Sequence, residues 1–191
     1  MVVIDATTLM LLLQPDARKP SGPNGVEIDR PVERIQFLVE RLGKARTKII
    51  IPTPALSEVL VRLDAGEAQS LVEKINGMAV FRVESFDERA AIEVAIMTRN
   101  SVDGGIKPKQ RDMNSTWAKL KYDRQIVAIA LVTGATTIYS DDKGVAAIAR
   151  RAKLKVIGLG DLELPPEDAQ ARLPFDERPK PEIESADDNP G

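Results

Sequence analysis

Five short apolar runs recur along the chain: Val2-Val3-Ile4, Lys48-Ile49-Ile50-Ile51, Ala79 to Val83, Thr136 to Ser140, and Lys155-Val156-Ile157. They show little polar–apolar alternation, the pattern of strands covered on both faces. Between them lie segments with helical spacing and helical punctuation. Leu9 to Leu13 follows a turn at Asp5-Ala6-Thr7-Thr8, and Pro31 opens a helix with Ile35, Leu38, Val39 and Leu42 on one face, closed by Gly43. Thr53 is expected as the N-cap of the next helix, with Pro54 at its first position. Further helices are expected from Ala68 to Asn76, from Asp87 to Thr98, from Trp117 through Val132, and from Gly144 to Ala152. Strands alternating with helices imply an α/β architecture, a central and mostly parallel sheet with helices on both faces. Ligands bind such sheets beyond the carboxyl ends of the strands.

The 191 residues suffice for one domain, read as residues 1–160, interrupted by a Pro- and Gly-rich insertion at 14–30 and a basic, Gly-containing loop at 100–115. Aromatic residues are only 4% of the chain, so the core rests on Val, Ile, Leu and Ala. The formal charge of −2 conceals an asymmetry. Residues 161–191 hold 10 acids and 3 bases, which leaves 24 bases against 19 acids in 1–160. The tail, with six prolines from Pro165 to Pro190, buries too little apolar surface to offset its ordering entropy and is expected to be poorly ordered. Six bases of the body, Lys107, Lys109, Arg111, Lys119, Lys121 and Arg124, cluster in one stretch. Such a cluster suits phosphate neutralisation and is read as a nucleic-acid-binding surface; the plainer reading is a solvated loop running into a helix.

Five acids, Asp5, Glu58, Asp123, Asp141 and Asp142, stand beside the apolar runs in a chain with no histidine and no cysteine. There is therefore no imidazole or thiol for nucleophilic catalysis or for zinc. Carboxylates alone suit a hard divalent cation such as Mg²⁺ or Mn²⁺. Asp5 and the Asp141-Asp142 pair fall at strand ends on one sheet edge, and Glu58 lies one turn into a helix that follows another strand. Converging carboxylates repel one another and raise their pKa values unless a cation lies among them. A bound ion would favour phosphodiester hydrolysis. No Gly-rich Lys-Ser/Thr phosphate loop occurs, Gly158-Leu159-Gly160 lacks a dinucleotide-binding context, and Thr7 stands where a haloacid-dehalogenase phosphatase needs its second Asp.

Val3-Ile4-Asp5-Ala6-Thr7, Pro54-Ala55-Leu56-Ser57-Glu58-Val59, the Asp123 to Ala130 segment and Ile138-Tyr139-Ser140-Asp141-Asp142 resemble, in that order, the PIN-domain ribonucleases, including toxins of the VapC kind. The resemblance implies a three-layer α/β/α sandwich and Mg²⁺- or Mn²⁺-dependent cleavage of single-stranded or structured RNA. It also implies an antitoxin partner and a homodimer. It assigns Asp5, Glu58, Asp123 and Asp142 as catalytic acids and metal ligands, with Asp141 at the variable position beside them, and gives Thr7 and Ser140 supporting hydrogen bonds. A cytoplasmic location is expected, since Met1 to Asp5 carries no basic leader and no apolar run approaches the ~18 residues of a membrane span. The alternative function is a nucleic-acid-binding or assembly module of the same fold with little catalysis.

Each residue also has a plainer reading. Asp5 and Asp142 suit helix N-caps, Glu58 a solvated helix face, and Asp123 an ion pair with Lys119 or Arg124. Trp117 and Tyr122 have the chemistry to stack on bases, but their helical spacing suits packing.

Overall fold

The computed structural model describes residues 1–13, 25–103 and 113–166, without the side chains of 101–103 and 113–118. Residues 14–24 of the insertion, Lys107, Lys109 and Arg111 of the basic stretch, and 167–191 of the tail lie outside the described residues. The five apolar runs form strands β1 (Val2–Ile4), β2 (Ile49–Pro52), β3 (Phe81–Glu84), β4 (Thr137–Tyr139) and β5 (Lys155–Ile157). They pair in one sheet of order β3-β2-β1-β4-β5, and every pairing is parallel. Val3, Ile49, Ile50, Ile51 and Ile138 are fully buried, as strands covered on both faces require.

Seven α-helices occur among the described residues: α1 (Ala6–Leu13), α2 (Pro31–Lys44), α3 (Thr53–Leu60), α4 (Ala65–Gly77), α5 (Glu88–Asp103), α6 (Met113–Val132) and α7 (Lys143–Arg151). The chain grows outward from β1 to β2 and β3, then returns across β1 to add β4 and β5. Direction therefore reverses between β1 and β4. Such a switch point parts the connecting helices and leaves a crevice at the strand ends.

Several boundaries differ from the sequence expectation, each for a local reason. Pro52, not Thr53, caps α3, so Pro54 falls at the second helical position. The Thr53 hydroxyl instead accepts a 3.2 Å hydrogen bond from Phe86 N, tying the segment after β3 to the end of β2. α4 starts three residues before Ala68, because Asp64 and Glu67 form a reciprocal capping box, with bonds of 2.8 and 3.1 Å. Gly43 lies inside α2, which runs on to Lys44. α5 continues past Thr98 and α6 begins before Trp117, so both ends of the expected 100–115 loop are helical. Gly134, with φ 68°, does end α6 as expected, in the left-handed conformation that glycine adopts without strain.

Candidate metal-binding active site

β1 is fully buried and ends at Ile4, so Asp5 emerges at the carboxyl edge and caps α1 through Thr8 N to Oδ1, at 2.8 Å. Its other oxygen accepts a hydrogen bond from the Ser140 hydroxyl at the end of β4. Ser140 Oγ in turn accepts from Asp142 N at 3.0 Å, which links the two strand ends on either side of the switch point. Asp142 caps α7, with Oδ1 taking Gly144 N at 2.6 Å and Val145 N at 3.2 Å. Its Oδ2 lies 2.9 Å from Lys119 Nζ. Glu58 approaches from α3 and Asp123 from α6.

The four acids feel one another. Burial pushes the Asp123 carboxyl up to about 6, with Asp142 adding to the shift and Glu58 and Asp5 contributing less, while Lys119 opposes it. Glu58 is raised by partial desolvation and then by Asp5 and Asp142. Asp5 is raised by its burial, although bonds from Ser140 and Thr8 pull the other way. Asp142 behaves differently: burial pushes it up, but Lys119 and the N–H groups of Val145 and Gly144 outweigh that and hold it below the ordinary value.

Asp123 is only 7% exposed, yet its carboxylate oxygens, which accept no hydrogen bond from any described residue, still reach solvent, since no enclosed side-chain oxygen among those residues lacks a partner. A carboxylate desolvated along its stem and open at its oxygens suits a cation arriving from solvent. The backbone leaves it space. A Cβ at Gly144 would lie 2.2 Å from Asp123 Oδ2 and 3.0 Å from Asp142 Oδ1, so glycine here lets the Asp123 carboxylate lie against the first turn of α7. The donor set, carboxylate oxygens with hydroxyl and solvent around them, fits Mg²⁺ or Mn²⁺. No three acids among the described residues are gathered closely enough to enclose an ion as they stand. The Lys119 ammonium holds Asp142 in the meantime.

The other sequence candidates separate clearly. Asp141 turns away, and its two oxygens both accept from Leu159 N at 3.2 Å. Thr7 is exposed; the neighbouring Thr8, 1% exposed, carries the bond to Asp5 and also donates its hydroxyl to Tyr139 O. Arg124 is buried, and its guanidinium donates to Thr98 Oγ1 at 3.0 Å, fastening α6 to α5. Lys121 and Tyr122 are exposed on α6. Sequence reading missed Thr8 and Gly144. Thr8 was findable, since an Asp N-cap is bonded by the residue three positions on.

No family model matches the chain, and no curated protein does. Solved structures do match. FitAcB from Neisseria gonorrhoeae aligns at TM-score 0.54 and 17% identity, over 85% of this chain and 100% of that one. VapBC2 from Rickettsia felis, bound to a DNA fragment from its promoter, aligns at TM-score 0.53 and 12% identity over 83% and 98%. DNA-bound VapBC from Salmonella typhimurium aligns at 0.51 and 15% over 83% and 97%. The fold is a VapC-like PIN fold. In this PIN fold the β1–β4 switch point carries Asp5 and Asp142, and the flanking helices α3 and α6 bring Glu58 and Asp123. Among the described residues, no helix is long and apolar enough to cross a membrane.

Proposed function

We propose that this chain is a divalent-metal-dependent endoribonuclease that hydrolyses RNA phosphodiester bonds. The observation that carries the reading is Asp123, largely desolvated, not hydrogen-bonded among the described residues and still open to solvent at its carboxylate, raised to about 6 beside three other acids at the switch point of a PIN fold. Asp5, Glu58, Asp123 and Asp142 would hold one or two Mg²⁺ or Mn²⁺ ions. A bound ion of this kind lowers the pKa of a water and offsets charge on a phosphate. The protein's own work is orientation. Ser140 fixes Asp5 against Asp142 N, Thr8 fixes the other Asp5 oxygen, and the amino end of α7 fixes Asp142, so these two acids face the crevice in one geometry. The exposed Lys121, with Lys119, is suited to steer RNA phosphates to that edge.

By the same resemblance, the biological role is that of a cytoplasmic toxin, a homodimer held by an antitoxin protein. A second reading, a binding module of this fold with little catalysis, is favoured by one observation. The acids do not enclose an ion as they stand, and Lys119 already neutralises Asp142. Purified protein assayed on single-stranded RNA separates the two. Cleavage that needs Mg²⁺ or Mn²⁺ and disappears in Asp5→Asn and Asp142→Asn, with circular dichroism unchanged, supports the enzyme. RNA binding without cleavage under either ion supports the module, and cleavage that survives both substitutions exposes a contaminating nuclease.

A further inference from the structure

Lys119 and Asp123 are four residues apart on α6, so they share one face of the helix. Lys119 is the basic side chain whose charge acts on Glu58, Asp123 and Asp142 together. Its contact with Asp142 is specific to one oxygen. Oδ1 is committed to the amino end of α7 through Gly144 N and Val145 N, and Oδ2, the remaining oxygen, lies 2.9 Å from Nζ. A Mg²⁺ ion held by Asp142 would need that same oxygen. The ammonium and the ion would then be two cations on one carboxylate oxygen, and each disfavours the other.

We propose that Lys119 is an internal counter-ion of the acid cluster, and that a divalent cation loads by displacing its ammonium from Asp142 Oδ2. The inference rests on the metal reading above and adds to it the residue that sets metal affinity. Displacement requires no rearrangement of the core. The Lys119 side chain is 64% exposed on a flexible stem, whereas Asp142 stays fixed by α7. In the metal-free protein the ammonium offsets the repulsion among the acids; in the loaded protein it is released at the mouth of the site. A lysine serving only as a phosphate contact would change RNA affinity and leave metal affinity untouched.

The test is a Mn²⁺ titration of the full chain without RNA, free Mn²⁺ being followed by its paramagnetic resonance signal. Lys119→Met is expected to bind Mn²⁺ roughly two- to fivefold more tightly than wild type, the scale of one partly exposed ion pair. Lys119→Arg, which keeps the charge, is expected to stay near wild type. In EDTA the melting temperature of Lys119→Met is expected to fall, because the acids lose their counter-ion. Lys119→Gln repeats the measurement should the methionine variant aggregate. Equal or weaker Mn²⁺ binding by the neutral variants, with wild type still binding, overturns the counter-ion role and leaves the metal reading standing. No Mn²⁺ binding by wild type or by either neutral variant overturns both.

Discussion

A methyl group at position 144 would press on Asp123 Oδ2, the free end of a side chain, so Asp123 rather than the backbone would give way. Gly144→Ala is therefore expected to lower metal-dependent RNA cleavage at least tenfold while leaving the melting temperature nearly unchanged, since alanine is the better helix former by ~1 kcal/mol. Rate and melting curve measured on the same preparation check it; an unaltered rate would mean that the position of Asp123 is immaterial. Ser140 and Asp142 were legible as a strand-end hydroxyl and acid. Gly144 was not, because its importance depends on how closely α7 approaches α6, a tertiary distance that leaves no mark on local sequence. Asp141 shows the converse. An acid beside a strand end looks functional in sequence, yet its carboxylate turns to Leu159 N.

At the scale of elements, α6 shows why the sequence groups Arg124 with the exposed bases although its side chain is buried. Ile126, Val127, Ala128, Ile129 and Ala130 are all buried, so this stretch of the helix is enclosed on every side and its sequence carries no periodicity to show which side meets α5. Arg124 lies on the α5 side and Lys121 on the exposed one. Arg124→Ala is expected to destabilise the protein by about 1–3 kcal/mol in urea unfolding, through the lost bond to Thr98 and lost packing. Lys121→Ala is expected to leave stability unchanged and to reduce the salt slope of RNA binding by about 0.7, as for a single-strand phosphate contact. The opposite assignment of effects would return Arg124 to the RNA surface. The strands and most helices were readable from their apolar runs and from Pro and Gly punctuation. The start of α4 was missed because its Asp64–Glu67 box lies outside the apolar pattern.

Over the whole molecule the acid edge couples stability to pH. Asp5, Glu58 and Asp123 have raised folded-state pKa values, so the stability linked to their protonation is fully present below their unfolded values near 4 and is lost as pH rises through the folded ones, about 6 for Asp123. Asp142 is lowered and has the reverse sign, losing its contribution as pH falls. With Asp141 raised as well, by its burial, and with the only other lowered acid among the described residues, Glu33, at the surface, the raised groups predominate, and the metal-free protein is expected to melt at a lower temperature at pH 7 than at pH 5, by about 5 °C. Mg²⁺ should recover most of the difference at pH 7 and little at pH 5. Melting curves in EDTA and in Mg²⁺ at both pH values give the answer, and a metal-free protein more stable at pH 7 would remove the charge crowding on which the site rests.

The most direct measurement is the rate of RNA cleavage against Mn²⁺ concentration for wild type and Asp123→Asn, with the fold of each verified by circular dichroism. Four carboxylates acting as one metal site require a saturable, EDTA-sensitive rate in wild type and a loss of at least a hundredfold in the variant. Cleavage that is independent of Mn²⁺, or retained by folded Asp123→Asn, would contradict that site.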